Sequence, residues 1–483
     1  MSDRMPNIAH TDRLFIGGRW KTPATGETLK VINPATEEIV ATVAAAGVED
    51  VDRAVGAARA AFDSGPWPRL SPAERAAKLR IVAAELRRRQ PDLARAISVE
   101  MGSPLKVTTA SVAGPPNLFD YYADMVEALP EAEARERNGG RAFSVMEPAG
   151  VVAAIVPWNS PLNLSALKLA PALAVGCSVI LKPAPSTPLD ALLLAECLEA
   201  ADFPPGVVSV LPAGNEAADA LVRDPRVDKV TFTGSTAIGK HIARVCADRL
   251  ARVALELGGK SAAIILDDMD VEDVAARLLP GSTMLTGQAC SALTRVLVPR
   301  RRHDAFVEAF AEAMRRVRIG DPFDPATDMG PIALERQRER VEEYVKIGKA
   351  EGARLVTGGG RPNHLNKGYF VEPTLFTDVD NRMRIAREEI FGPVISVIAY
   401  DAEDEAIAIA NDSDYGLYAS IFTHDDDAVW RIGRRLRTGN VAKNAVIVDR
   451  TLPYGGYKQS GLGREGGVEG LRSFQEQKIV YLA

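Results

Sequence analysis

The sequence predicts an α/β fold built on a parallel, doubly wound sheet, and three observations lead there. Between Arg141 and Thr233, strand-sized apolar segments alternate with helix-like ones at short connections, a βαβαβαβ succession. Its first strand, within residues 150–157, is an unbroken apolar run, as a strand covered on both faces must be. A second αβ succession begins after Glu256, and 483 residues are too many for one simple core.

The elements follow in order. Residues 14–16, 31–33 and 38–43 read as short strands separated by turns. Alanine-rich apolar positions at helical spacing predict a helix over 48–62. The next helix opens at Ser71-Pro72-Ala73-Glu74, where Ser71 suits the cap, Pro72 the first turn and Glu74 the acid of a capping box. It runs toward Arg87-Arg88-Arg89, whose cations suit a helix C-terminus. A further helix is expected over 117–129, with Phe119, Tyr121 and Tyr122 facing either core or ligand. In the alternating region, strands are expected at 150–157, 178–182, 207–211 and 229–233, with helices at 164–176, 189–201 and 216–223. The second succession offers strands at 262–266, 295–298 and 394–399, helices at 303–318, 334–351, 403–411 and 426–438, and an edge strand at 477–482.

Composition narrows the function classes. A net charge of −6 and a pI near 5.7 argue against nucleic acid or an anionic membrane as the main partner. No apolar run is long enough to span a bilayer, and Met1-Ser2-Asp3-Arg4-Met5 lacks the pattern of a signal peptide. Cys177, Cys197, Cys246 and Cys290 are scattered, and with five His at no ligand spacing neither a metal site nor a disulfide scaffold is expected. The expectation is a metal-free, cytoplasmic protein.

Ligands in doubly wound sheets sit at the carboxyl ends of the strands. Here those ends are Pro157-Trp158-Asn159, Lys182-Pro183-Ala184-Pro185 and Phe232-Thr233-Gly234-Ser235. Gly234 and Ser235 follow a strand and open a helix, so the backbone N–H groups there are placed to meet a pyrophosphate. Two other glycine motifs are set aside. Gly461-Leu462-Gly463-Arg464-Glu465-Gly466 fits GxGxxG, yet too little chain follows for a second strand, so it reads as turn glycines. Gly259-Lys260-Ser261 resembles the end of a phosphate loop, but Ala254 stands where that motif needs glycine. Cys290 follows the glycine turn at Gly287, and Glu256 is a lone carboxylate among apolar residues and glycines. A thiol nucleophile needs a base, and burial lifts a carboxyl toward neutrality. Taken alone, each is better read as structural, a buried Cys and a salt-bridged Glu.

Taken together, Pro157-Trp158-Asn159, Lys182-Pro183-Ala184, Phe232-Thr233-Gly234-Ser235, Glu256-Leu257-Gly258-Gly259-Lys260, Gly287-Gln288-Ala289-Cys290, Glu389-Ile390-Phe391-Gly392-Pro393-Val394 and Pro453-Tyr454-Gly455-Gly456-Tyr457-Lys458 resemble the NAD(P)-dependent aldehyde dehydrogenase superfamily. The resemblance implies a Rossmann-like cofactor domain (1–124 and 145–257), an α/β catalytic domain (258–458) and a small β extension for homodimers or homotetramers (125–144 and 459–483). It implies that Cys290 attacks an aldehyde, that Asn159 and the Cys290 N–H hold the oxyanion, and that Glu256 activates water. Pro157, Trp158, Lys182, Gly234, Ser235, Glu389 and Phe391 would then bind NAD. Pro185 stands where NAD-preferring relatives often carry an acid, so NADP stays open. Leu167 and Tyr454 replace residues frequent in the substrate tunnel, and Lys443 stands where relatives usually have an apolar residue. A CoA-acylating semialdehyde dehydrogenase and a catalytically silent member of the fold are the alternatives.

Overall fold

Two parallel sheets carry the chain in the computed structural model, which describes residues 4–137 and 139–482. The outermost residues of the expected leaderless start, Met1 to Asp3, and Asn138 and Ala483 of the expected β extension, lie outside the described residues. The first sheet has eight strands in the order Arg19–Lys21, Leu14–Ile16, Val208–Val210, Ser178–Lys182, Val151–Ile155, Lys229–Thr233, Arg252–Glu256, Gly461–Leu462. Its five middle strands are parallel, and antiparallel strands close both edges. After the edge strands Leu14–Ile16 and Arg19–Lys21, the parallel part starts in the centre at Val151–Ile155, winds outward to one side, then returns to place Lys229–Thr233 on the other. That reversal opens a crevice between the ends of these two strands.

The second sheet has seven strands, with Ser261–Ile265, Leu293–Pro299 and Val394–Tyr400 at its core. Its strands are almost wholly buried, because helices cover both faces. A three-stranded antiparallel sheet joins Ala132–Arg137, Gly140–Pro148 and Gln475–Leu482.

Local chemistry accounts for most element boundaries. The helix Pro72–Arg88 is capped as expected: Ser71 N donates to Glu74 Oε2 at 2.8 Å, and Glu74 N donates to Ser71 Oγ at 3.3 Å. Pro161–Val175 is apolar on nearly every side and lies buried between the sheet and the outer helices. Phe119 and Tyr122 face the core, while the half-buried Tyr121 donates to Thr451 O at 3.0 Å. Residues 461–462, expected to be turn glycines, instead pair with Leu255 and Glu256 as an edge strand. The segment before Gly287 is the helix Val271–Thr283, with Pro280 inside it, followed by a single 3₁₀ turn.

One buried pair has a measurable signature. Glu100 and Asp190 are both buried, and Glu100 caps the helix Leu189–Ala200 by accepting from Leu189 N at 2.8 Å and Asp190 N at 3.2 Å. Burial raises both carboxyls, and for Glu100 the facing Asp190 adds to it. A carboxyl raised on folding contributes stability below its unfolded pKa of about 4, and loses it as pH rises through the folded value. Asp190→Asn is therefore expected to gain in Tm relative to wild type as pH rises from the acid side through neutrality. Thermal melts across that range test it; a constant difference would place no titration at this pair.

Candidate active site

Cys290 is presented by a turn that few sequences tolerate. After Thr283 the chain passes through Leu285 (φ 50°) and Thr286 (φ 60°), both left-handed, into Gly287 (φ 71°). Two successive non-glycine residues in that region cost about 1–2 kcal/mol each, so the surroundings must enforce it. They do: Thr286 Oγ1 donates to Gly330 O at 3.1 Å, and the buried Gln288 amide bonds Leu285 O at 2.9 Å and Ala333 N at 2.9 Å. A Cβ on Gly287 would sit 2.3 Å from the Gly392 carbonyl carbon, so only glycine lets the turn close against the segment carrying Phe391.

Asn159 lies at the end of the strand Val151–Ile155, and its Nδ2 donates to Gln288 O at 2.8 Å. That bond ties the first sheet to the cysteine turn and leaves the second amide hydrogen of Asn159 for another acceptor. Glu256 ends the neighbouring strand; it is 5% exposed, and neither carboxylate oxygen has a partner among the described residues. Gly455 is the reason it fits, since a Cβ there would lie 2.6 Å from Glu256 Oε1.

These residues open onto one cavity of about 1280 Å³. Cys290, Glu256, Asn159, Pro157, Trp158, Gly234, Ser235, Glu389 and Phe391 all line it. Lys182 does not, although its carbonyl accepts from Val156 N at 3.1 Å, immediately before Pro157. Lys443 is also away from the cavity, bound to Asp426 at 2.5 Å and to His424 O.

Contacts sort its lining residues into two groups, the arms of the site. In one, Trp158 and Phe391 meet edge to face at 5.4 Å, beside Gly234, Ser235 and Glu389. Ser235 Oγ caps the helix Thr236–Ala247 by accepting from Ile238 N at 3.5 Å, so its hydroxyl serves the helix start rather than standing free. Glu389 accepts from Gly259 N at 3.0 Å, and Gly258 has no room for a side chain, a Cβ there lying 2.3 Å from Glu389 Oε2. In the other arm, Asn163 donates to Ser111 Oγ at 2.8 Å, and Tyr121 fastens the loop at Thr451.

Electrostatics separates the groups by role. Burial, then Glu389 and Glu256, pushes the Cys290 thiol up to about 12, while a hydrogen bond from Tyr454 and the charge of Arg450 work against them. Burial raises Glu256 well above the carboxylate range, and Glu465 adds to it, opposed by Lys168 and Arg464. Glu389 is pushed up to about 7 by burial. Lys182 is pushed down to about 8 by burial.

Sequence reasoning missed Lys168, Glu465, Gln288 and Arg450. Lys168 is fully buried within Pro161–Val175, where its ammonium bonds Glu465, which also accepts from Thr231 Oγ1 at 3.0 Å. Glu465 belongs to the glycine motif set aside above; those glycines carry this second acid to the side of Glu256. A lysine inside an otherwise apolar helix was the available signal, because a buried cation needs a partner.

The aldehyde dehydrogenase family model matches residues 20–480. This chain belongs to the aldehyde dehydrogenase family. It is 47% identical over 472 residues to a geranial dehydrogenase of Castellaniella defragrans, covering 97% of this chain and 98% of that one. A betaine aldehyde dehydrogenase of Brucella anthropi is 40% identical, with 99% and 97% covered. Among solved structures, a Mycobacterium tuberculosis aldehyde dehydrogenase complexed with NAD+ superposes with a TM-score of 0.96 at 46% identity, covering 99% of each chain. The fold is the aldehyde dehydrogenase fold, with its Rossmann-like and catalytic α/β parts. Glycines line the approach to Glu389 in the first arm, which leaves room for a dinucleotide, while Lys182, outside the cavity lining, is a buried ammonium without a partner among the described residues.

Proposed function

We propose that this aldehyde dehydrogenase oxidises an aldehyde to the free carboxylic acid with NAD+, through covalent chemistry on Cys290. The observation that carries this reading is the convergence of Cys290, Glu256 and Asn159 on one cavity. NAD+ supplies the hydride acceptor; Gly234, Ser235, Glu389, Trp158 and Phe391 hold it in the first arm, and Lys182, at the end of the strand Ser178–Lys182, extends the site beyond the cavity lining. The Cys290 sulfur bonds the carbonyl carbon as its proton leaves to a base, giving a thiohemiacetal. Asn159 Nδ2 and the Cys290 N–H donate to the developing oxyanion, and losing one such donor typically costs about 3 kcal/mol of barrier. Once the thioester has formed, Glu256 takes a proton from water, the hydroxide adds to the carbonyl, and the C–S bond breaks to release the acid. The NAD+ assignment draws support from similar structures solved as NAD+ complexes, since Pro185 carries no charge to repel a 2′-phosphate.

The protein is also proposed to act as a cytoplasmic homo-oligomer. Support comes from the three-stranded sheet, which leaves Ile479, Val480, Tyr481 and Leu482 exposed, an apolar row suited to a second copy. No helix among the described residues is long and apolar enough to cross a membrane. Relatives named for geranial and for betaine aldehyde leave the substrate open.

The test measures NADH and product from aliphatic, aromatic and terpenoid aldehydes. Equimolar NADH and free acid without CoA are expected. A requirement for CoA, or a thioester as the released product, would replace this reading with acyl transfer.

A further inference from the structure

Arg450 is a charge without a bonded counterpart, and the acid whose charge reaches it, Glu465, is already bonded to Lys168 and Thr231. It lines the cavity with its chain neighbours Asp449 and Thr451, on the loop that Tyr121 holds at Thr451 O. The residue is half-buried, and its guanidinium has no ion pair or hydrogen bond among the described residues. Acids nearby are all engaged elsewhere. Asp449 Oδ1 accepts from Thr451 N at 2.9 Å and from Thr451 Oγ1 at 2.6 Å, which folds that carboxylate into its own turn. Glu465 is held by Lys168 and Thr231. Asp328, another acid of the cavity lining, pairs with Lys106 at 3.0 Å. Glu256 is raised by burial, so its carboxyl is biased toward the neutral form. A guanidinium cannot shed its charge at neutral pH, and partial burial without a partner is costly, so the arrangement implies an anion supplied from outside.

Asn163, Ser111, Asn117 and Ser160 add polar groups to a lining that is otherwise largely apolar, with Leu118, Leu164, Leu167 and Val448, so a charged end of a ligand has few partners there besides the guanidinium. The loop is fixed in place by the Tyr121 bond to Thr451 O at 3.0 Å, so the guanidinium is held by scaffold rather than by its own contacts.

We propose that Arg450 is a specificity-determining residue that binds a carboxylate on the substrate, making ω-oxocarboxylates the preferred aldehydes. This rests on the reading of the protein as an aldehyde oxidoreductase acting through Cys290. The guanidinium fork matches a carboxylate in bidentate fashion, and the same charge disfavours aldehydes bearing a quaternary ammonium.

The test compares kcat/KM with NAD+ for ω-oxocarboxylates of four to eight carbons, their methyl esters and betaine aldehyde. Wild type is expected to prefer at least one acid over its ester by about tenfold or more, with betaine aldehyde the poorest. In Arg450→Met the acid-to-ester ratio should collapse through KM, and Arg450→Lys should restore part of it. Competitive inhibition of wild type by dicarboxylates, and not by their diamides, is a second readout needing no variant. The proposal is overturned if wild type shows no acid preference, or if Arg450→Met lowers acid and ester equally, as a charge acting only on the thiol would. Absence of NADH from every aldehyde would instead defeat the underlying reading, because esters need no cation.

Discussion

Cys290→Ala is expected to lower NADH formation by at least about 10⁴-fold, while NAD+ binding by calorimetry stays within a few-fold of wild type. The size follows from the route rather than from the residue type. Without the sulfur no covalent adduct forms, and the neighbouring hydroxyl of Tyr454 is held well above its usual range by burial. The separation of effects follows from the two arms, since the residues proposed to hold the dinucleotide sit on strand ends and glycine turns that do not depend on the thiol. Because burial, with Glu389 and Glu256, holds the resting thiol well above its ordinary range, little of it is thiolate at pH 7. Alkylation by iodoacetamide in the dinucleotide-free protein should therefore be slow at pH 7 and accelerate steadily toward alkaline pH. A Cys290→Ala protein that keeps full turnover would reject the nucleophile outright. One that loses both turnover and NAD+ binding would show that the cysteine turn also organises the cofactor arm.

How much of this was legible before folding depends on whether chemistry or geometry sets the signal. The parallel strands were visible because burial on both faces writes them as apolar runs, as in Val151–Ile155 and Ser178–Lys182. Cys290 and Glu256 stood out as a thiol after a glycine turn and a lone acid before glycines, while their joint role, and that of Asn159, came from the family resemblance. Strands without that pattern were not. Ala132–Arg137, with the sequence AEARER, is exposed throughout and exists by pairing with Gly140–Pro148, so neither propensity nor alternation marks it. Arg252–Glu256 was read only for its carboxylate, not as the strand that delivers it. The Lys168–Glu465 pair joins residues 297 apart in sequence, and no local rule reaches that far. The glycines of residues 461–466 read in sequence as turn glycines, and their part in bringing Glu465 and Gly455 against Glu256 depends on tertiary closeness alone.

Glu256→Gln is expected to separate the two halves of the reaction. Its burial without partners favours the neutral carboxyl, and Glu465 pushes the same way, while Lys168 and Arg464 hold part of the negative charge in place. The wild-type group is thus a base whose working form grows as pH rises through its raised pKa. Release of the acid should accompany that titration, climbing with pH where an ordinary carboxylate would already be fully ionised. Glutamine has nearly the same shape and cannot accept the proton. The variant should form one equivalent of NADH rapidly and then turn over about 10²–10⁴-fold more slowly, with acyl groups accumulating on Cys290 and the pH dependence of release flattened. Rapid-mixing absorbance for the burst, and mass spectrometry of the quenched protein for the acyl adduct, measure both. Hydroxylamine, which attacks thioesters without a general base, should restore release. A variant without a burst would place Glu256 before the thioester, as the base that takes the thiol proton, and hydroxylamine would then leave it unrescued.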